Sequence, residues 1–166
     1  MSVIPKLVSS WTISINGKGF LGKAESIDLP ELKAITQDVQ GAGMTIKNKV
    51  VVGYEPMTCK ITFLEIDPEL YTTFGLGDVV GIICKAALGN GKDSEPLTAI
   101  MHGRFHELST ETFKMGEVSK TTAVMDVKRY TLLRNEVPMT VIDTENNIVN
   151  LSGVDSLEQT RTILGV

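Results

Sequence analysis

Apolar and polar side chains alternate along several stretches of the chain, and this period of two is typical of strands that bury one face. The clearest stretch runs from Met57 to Phe63, where four apolar residues alternate with Thr58, Lys60 and Thr62. By the same pattern, and by the turn residues between them, further strands are predicted at 11–15, 20–27, 97–107, 121–133 and 137–142. The sequence therefore predicts a mainly β protein, an antiparallel sandwich or barrel-like arrangement of strands.

Two of the predicted strands are irregular. A continuous apolar stretch at 79–88 predicts a strand buried on both faces, followed by a turn at 89–92. In the strand that contains Val127, the apolar side of the alternation changes after this residue. Such a change predicts a bulge near Lys128 and Arg129.

The segment before Met57 is less regular. It predicts a strand at 31–39, a break at Gly41 and Gly43, and a short apolar strand at 44–46. Glycines between strands favour a bend or an exposed loop, because glycine tolerates the positive φ angles that tight turns need.

A short internal helix is predicted after the strand that ends at Phe63. Asp67 is its expected N-cap, and Pro68 follows at a position where its missing N–H has no cost. Gly75 is expected to end the helix. Leu70 and Phe74, four residues apart, are expected to share its buried face.

A second helix is predicted at the C-terminal end of the sequence. Asp155 is its expected N-cap, with Glu158 reaching back in a capping box, and Gly165 is its expected end. Leu157 and Leu164 are expected to face inward, so that this helix covers the outside of its own sheet.

The composition supports the strands and limits the function. Thr, Val and Ile, whose branched side chains suit strands, make up 47 of the 166 residues. The formal charge is −4 and basic residues are not clustered, which excludes a protein that grips nucleic acid through its phosphates. No apolar run is long enough to cross a bilayer, and the first residues lack the apolar segment of a signal peptide. We therefore expect a protein made and assembled inside a cell.

Candidate chemical sites are weak. The alternation around Cys59 favours a buried thiol, and its distance in sequence from Cys84 gives no C-x-x-C spacing. His102 and His106 lie on the outward side of a predicted strand, where four residues span about 13 Å, which favours an exposed face over a shared metal ion. The dinucleotide, phosphate-loop and nucleophile-elbow motifs are all incomplete. We expect no enzyme activity, no cofactor and no metal.

The most specific signal comes from three blocks of residues, in order along nearly the whole chain. They are Glu25, Leu29-Pro30, Leu32, Gly41, Gly43 and Met44; then Gly103-Arg104, Glu107, Lys114 and Gly116-Glu117; then Ile142-Asp143-Thr144, Gly153-Val154-Asp155, Leu157, Arg161 and Leu164-Gly165. Together these blocks closely resemble the major tail tube proteins of contractile-tailed bacteriophages. Two residues depart from the family pattern, Thr160 where Gln is frequent and Phe113 where Trp is common, and both concern local packing.

The resemblance implies a structural subunit, with residues 1–166 as a single tail tube domain. In the family, six copies form a ring whose strands close one β-barrel around a lumen, and the rings stack into a hollow tube. The implied partners are the tail sheath protein, a tape-measure protein in the lumen, baseplate and tail terminator proteins, and DNA that passes without specific binding. The tube is then part of a virion, assembled in the host cytoplasm and driven through the host envelope when the sheath contracts.

For the ring-to-ring contact we predict the loop that contains Gly41, Gly43 and Met44, flanked by Asp38 and Lys47. The alternative interpretation of this loop is an ordinary hairpin bend. Two further functions share the architecture: a tube subunit of an R-type bacteriocin or other contractile injection system, and a secreted tube-forming effector of a bacterial secretion system.

Overall fold

The structure, a computed structural model, describes residues 5–89 and 93–165, and these residues form twelve strands and two helices. In chain order the elements are β1 (Val8–Ile15), β2 (Lys18–Gly19), β3 (Ala24–Asp28), β4 (Ala34–Val39), β5 (Asn48–Tyr54), β6 (Met57–Phe63), α1 (Pro68–Leu76), β7 (Val80–Leu88), β8 (Glu95–Thr110), β9 (Thr121–Arg134), β10 (Val137–Asp143), β11 (Ile148–Leu151), β12 (Val154–Asp155) and α2 (Glu158–Leu164). The predicted fold class, mainly antiparallel β with a short internal helix and a C-terminal helix, is confirmed. Among the described residues, no helix has the length and apolar character needed to cross a membrane.

Ten strands form one antiparallel sheet that branches at β9. One edge of β9 pairs with β8 along nearly its whole length. The other edge pairs with β6 over residues 121–127 and with β10 over residues 129–134. On the main path the order is β12-β11-β10-β9-β8-β7-β1-β2, and β3 extends the branch through β6. The remaining strands, β4 and β5, form a separate two-stranded sheet.

A bulge lies where β9 changes partners. The residue before Gly103 pairs with Arg129, and Gly103 itself pairs with Val127. Lys128 is therefore an extra residue in β9, which confirms the predicted bulge. The two strands approach so closely here that a Cβ on Gly103 would lie 1.9 Å from the carbonyl oxygen of Asp126.

The core is built from the inward faces of both parts of the ten-stranded sheet, the path from β12 to β2 and the branch formed by β6 and β3. Its largest fully buried side chains include Phe63, Ile13, Ile61 and Met125. Leu70 adds the buried side of α1 to the same cluster. The alternation in the sequence predicted this face correctly, because one side of the sheet is removed from water while the other is not.

Both cysteines belong to this core, as predicted. Cys59 is fully buried and Cys84 is 6% exposed. Burial raises the pKa of the Cys59 thiol to about 12, because the apolar surroundings disfavour the thiolate.

Two strand predictions in the N-terminal half are wrong in part. The predicted strand at 20–27 is divided, because Gly22 takes a φ of 76° and turns the chain away from β1. Beyond that turn β3 pairs with β6 instead of β1. The predicted strand at 44–46 is part of a turn, and the actual strand β5 begins at Asn48.

The apolar stretch at 79–88 is a strand with one buried face, not two. Val80, Ile82 and Cys84 are buried, whereas Ile83 and Lys85, which alternate with them, are exposed. Because Ile83 on the open face is apolar, the sequence pattern predicted burial of both faces. The turn predicted at 89–92 falls mostly on residues outside the described part of the chain.

The start of α1 is as predicted, and its end is not. The Asp67 carboxylate accepts a hydrogen bond from the Glu69 N–H at 2.9 Å, the expected N-cap. The helix continues past Gly75 to Gly77, whose φ of 64° ends it. Leu70 is buried, but Phe74 is 39% exposed, so the two do not share a buried face.

The predicted end of α2 at Gly165 is confirmed, since Gly165 takes a φ of 73° and caps the helix, but the predicted N-cap is wrong. Leu157 occupies the N-cap position and makes no side-chain cap. The Asp155 carboxylate instead accepts from the Leu157 N–H at 3.0 Å and pairs with Arg161 at 2.5 Å, which fixes the turn before the helix. Leu157, just before the helix, packs against the core as predicted. Leu164 is 64% exposed and no residue of α2 itself is buried, so the expectation that this helix covers the sheet with Leu164 inward is wrong.

Candidate assembly surfaces

The β4–β5 hairpin is exposed along almost its whole length. Every residue of β4 is exposed, and so is every residue of β5 except Gly53. The two strands pair with each other and with no other described strand. A two-stranded hairpin is marginally stable in water unless one face is packed, so packing against another surface would stabilise this element.

The hairpin exposes apolar side chains on both of its faces. Ile35 and Val39 lie on the same side of β4, and the register places Val50 of β5 on that side as well. These three apolar side chains are each exposed by 44–49%. The opposite face carries the cross-strand pair of Asp38 and Lys49. That face also carries the exposed Val51, and the first face also carries Gln37, so both faces of the hairpin mix apolar and polar side chains.

All five residues predicted for ring stacking lie on this hairpin. Asp38 lies within β4, whereas Gly41, Gly43, Met44 and Lys47 lie in the connection to β5. The Met44 N–H donates to the Gly41 carbonyl at 3.1 Å, and Gly43 has a φ of 83°, the geometry of a type II turn. The loop is thus a hairpin bend with every side chain exposed, and its contact with a neighbouring ring stays a prediction.

A second candidate surface is a cleft of about 330 Å³ where the branched sheet stays open. It lies between β3 and the β1–β7–β8 part of the main sheet, because β3 pairs with β6 and with no other described strand. Apolar side chains line it, among them Trp11, Ile27 and Leu97. Glu25 at the cleft is held by Lys120 at 2.7 Å.

The face of the main sheet opposite the core forms a third surface. The cross-strand registers align Ser14, Ile83, Ile100, Thr131 and Val141 in one row across β1, β7, β8, β9 and β10. None of the five is buried, and none carries a charge. The outward face therefore carries one uncharged row of side chains across five strands.

The two histidines lie on this same outward side, as predicted. His106 lies 3.2 Å from the Asp126 carboxylate, measured from Nδ1, while His102 lies against Gly81. They do not share a partner. Among the described residues, no group of three His, Cys, Asp or Glu is placed to hold a metal ion.

Comparisons with known proteins identify the family of this chain. The family described as phage tail tube protein FII matches residues 5–165. The chain belongs to this family. The tail tube protein of Escherichia phage P2 is 26% identical over 171 residues, an alignment that covers 98% of this chain and 99% of the phage protein.

Two solved assemblies share the fold. A chain from the sheath–tube complex of an extracellular contractile injection system (PVC), in the extended state, superimposes with a TM-score of 0.62 at 12% identity, covering 79% of this chain and 93% of that one. A chain from the sheath/tube terminator of the same kind of system gives a TM-score of 0.61 at 13% identity, covering 80% and 99%. At these identities the likeness concerns the fold alone.

Membership of the family fixes the class of function. The chain is a structural tail tube protein, a component of a virion, and not an enzyme.

Sequence reasoning missed one strand of the hairpin and the whole of the cleft. Strand β5 was not predicted because both of its faces are exposed, which removes the alternation that marks a half-buried strand. The run Val50-Val51-Val52 was the available signal, since three β-branched residues favour a strand. The cleft gave no signal, because its lining comes from strands that are far apart in the chain.

Proposed function

We propose that residues 1–166 form a single tube domain, that six copies form a ring, and that the rings stack into the hollow inner tube of a contractile phage tail. The observation that carries this proposal is the match to the tail tube protein of phage P2 over nearly the full length of both chains. The exposed hairpin supports it, since a subunit in isolation leaves its apolar side chains and its strand edges open to a neighbour.

The proposed ring-to-ring contact is the tip of the hairpin, formed by Asp38, Gly41, Gly43, Met44 and Lys47. The tip is exposed and closed by its own turn, so it can meet a neighbour without refolding. A side chain added at the tip would hold two rings apart while the fold behind it stays intact.

Two glycines allow this contact to be tested with a matched control. Gly43 and Gly116 have φ angles of 83° and 82°, and neither has an atom within 4 Å of the position a Cβ would take. Gly43→Trp and Gly116→Trp therefore impose the same backbone strain in two different loops. We expect both variants to fold, and only Gly43→Trp to stop tube growth, measured by sedimentation and electron microscopy. Normal tubes from Gly43→Trp would contradict the assigned contact.

The other proposed partners follow from the function of a tail tube. They are the sheath protein on the outside, a tape-measure protein in the lumen, and baseplate and tail terminator proteins. DNA passes through the lumen on its way to the host, after assembly of the tail in the host cytoplasm and contraction of the sheath. Six copies with a formal charge of −4 give about −24 per ring, which disfavours retention of phosphates. Reversal of lumen-facing acids to Lys should slow DNA delivery, and unchanged delivery would count against this role of the charge.

A tube subunit of an R-type bacteriocin or other contractile injection system is the second candidate. The shared fold with chains of an extracellular contractile injection system favours it. Genes for a capsid and a terminase beside this one are expected for a phage tail and absent for an injection particle without DNA.

A further inference from the structure

The turn between β10 and β11, residues 143–147, holds the bulge of β9. Lys128, the extra residue of β9, has no partner in the described ladders on either edge of that strand. Its carbonyl oxygen accepts the Thr144 N–H at 2.9 Å and the Thr144 hydroxyl at 3.1 Å. Its ammonium group lies 3.1 Å from a carboxylate oxygen of Glu145. The turn therefore satisfies both the carbonyl and the charge of the bulged residue.

The Asp143 carboxylate gives this turn its shape. Its Oδ1 accepts the N–H groups of Glu145 at 3.0 Å and of Asn146 at 3.1 Å, and its Oδ2 accepts the Asn146 side-chain amide at 2.7 Å. Oδ2 also pairs with the Arg129 guanidinium at 3.0 Å. An exposed ion pair contributes little to stability, but only 13% of the Asp143 side chain is exposed. Its charge-assisted bonds are therefore screened less than those of a surface pair.

Helix α2 is attached to the same turn through Arg161. None of the described residues Glu158–Leu164 is buried, so the helix does not have an apolar face that fixes its position. The Arg161 guanidinium instead donates from Nη1 to the carbonyl oxygen of Asn147 at 2.9 Å, and from Nη2 to the Asp155 carboxylate at 2.5 Å. Its planar fork of donors suits two acceptors at once. The helix is therefore held by a cation that bridges the turn and the residues just before the helix.

We propose that residues 143–147 form a polar clamp that couples the position of α2 to the bulge of β9. One end of the clamp is bonded to Lys128 and the other end to Arg161. Loosening of either end frees the turn and so weakens the bonds at the other end. A coupling of this kind is a free energy shared by two sites, and it therefore acts in both directions. It is a property of the single subunit and does not depend on the proposed function.

Hydrogen exchange of individual amides, followed by NMR on the purified full chain, tests the coupling from the bulge. Thr144→Val removes the hydroxyl that donates to Lys128 and keeps the size of the side chain. We expect the amides of α2 to exchange roughly three- to tenfold faster, since the net loss of one hydrogen bond corresponds to about that factor. Thr144→Ser keeps the hydroxyl and should leave the exchange of α2 as it is in the parent.

Thr72→Val is the matched control for this substitution. It also removes a threonine hydroxyl that donates to a backbone carbonyl, that of Pro68 at 3.1 Å, but in α1. We expect the exchange of α2 to be unchanged in this variant. Equal acceleration of α2 in Thr72→Val and Thr144→Val would overturn the proposal, because the effect would then be a general loss of stability.

Arg161→Lys tests the coupling from the helix. Lysine keeps the positive charge but lacks the fork that bonds Asn147 and Asp155 together. We expect the Thr144 amide, which donates to Lys128, to exchange roughly three- to tenfold faster in this variant. In the double variant with Thr144→Val, the acceleration of α2 should fall short of the product of the two single effects, because both changes open one clamp.

Two results would show that the bulge and the helix are held separately, and each would overturn the proposal. The first is unchanged exchange of α2 in Thr144→Val when the amide of residue 144 itself exchanges faster. The second is a double variant whose effect on α2 equals the product of the single effects. If Thr144→Val does not fold, Arg161→Lys decides the question: faster exchange of the Thr144 amide supports the clamp, and unchanged exchange there overturns it.

Discussion

The close approach of β8 and β9 at Gly103 gives a prediction whose size can be worked from the structure. A Cβ at this position would lie 1.9 Å from the carbonyl oxygen of Asp126, 2.8 Å from its carbonyl carbon and 3.1 Å from the Cα of Val127. All three atoms belong to the backbone of β9, so no side-chain rotation relieves the overlap. Overpacking in a rigid site costs about 1–3 kcal/mol, and a clash with backbone belongs at the upper end.

Gly103→Ala is therefore expected to lower the free energy of unfolding by about 3 kcal/mol. For a chain of this length, each kcal/mol corresponds to roughly 2–4 °C, so the Tm should fall by roughly 6–12 °C. The assay is thermal and urea unfolding of the dispersed subunit, followed by circular dichroism.

Gly81→Ala is the matched control for this substitution. Gly81 lies on the adjacent strand β7, and a Cβ there meets only the His102 ring, at 3.5 Å, which is an ordinary contact. We expect this variant to stay close to the parent in Tm. If Gly103→Ala were as stable as Gly81→Ala, the account of the bulge would be refuted.

Three further predictions follow from burial and charge. Met125 is fully buried and Met115 fully exposed, so Met125→Ala should cost about 2–5 kcal/mol in urea unfolding and Met115→Ala less than about 0.5 kcal/mol; equal losses would contradict the assigned core. The hydrogen bond from Arg161 lowers the pKa of the Asp155 carboxyl below its ordinary value. The ionised carboxylate therefore stabilises the fold at a pH above the ordinary pKa, and this contribution is lost as the pH falls through the lowered pKa. Asp155→Asn should accordingly flatten the acid limb of the stability curve, seen as urea midpoints measured below about pH 4; an unchanged slope would count against the pair. Burial and a pKa raised to about 12 should keep Cys59 unreactive toward a disulfide reagent at pH 8 until the chain unfolds, and rapid reaction in the folded protein would show that the core is open there.

The sequence predicted best those strands whose two faces differ. In β6 and in β9, one face is buried and the other is wet, so the alternation marks each residue's side, and the change of side after Val127 even locates the bulge. Where both faces are exposed, as in β5, alternation disappears and the strand was missed. In β7 the exposed Ile83 concealed the open face for the related reason that an apolar residue on that face removes the alternation.

The ends of elements were less predictable, because they depend on contacts with distant residues. Asp155 is a good N-cap by residue type, but its carboxylate is engaged by Arg161, one turn into the helix, and the cap position moves to Leu157. The cleft between β3 and β1 depends on which strands pair. The local sequence pattern does not specify pairing between strands that are far apart in the chain. The hairpin tip was found because glycines at Gly41 and Gly43 mark a turn whatever surrounds it.

The central claim is that this chain builds a tube from copies of itself, and electron microscopy of the purified, concentrated protein tests it most directly. The account predicts rings with six-fold symmetry and hollow, regularly striated tubes whose length grows with protein concentration. A monodisperse monomer at every concentration, in the absence of other tail proteins and in their presence, would contradict it.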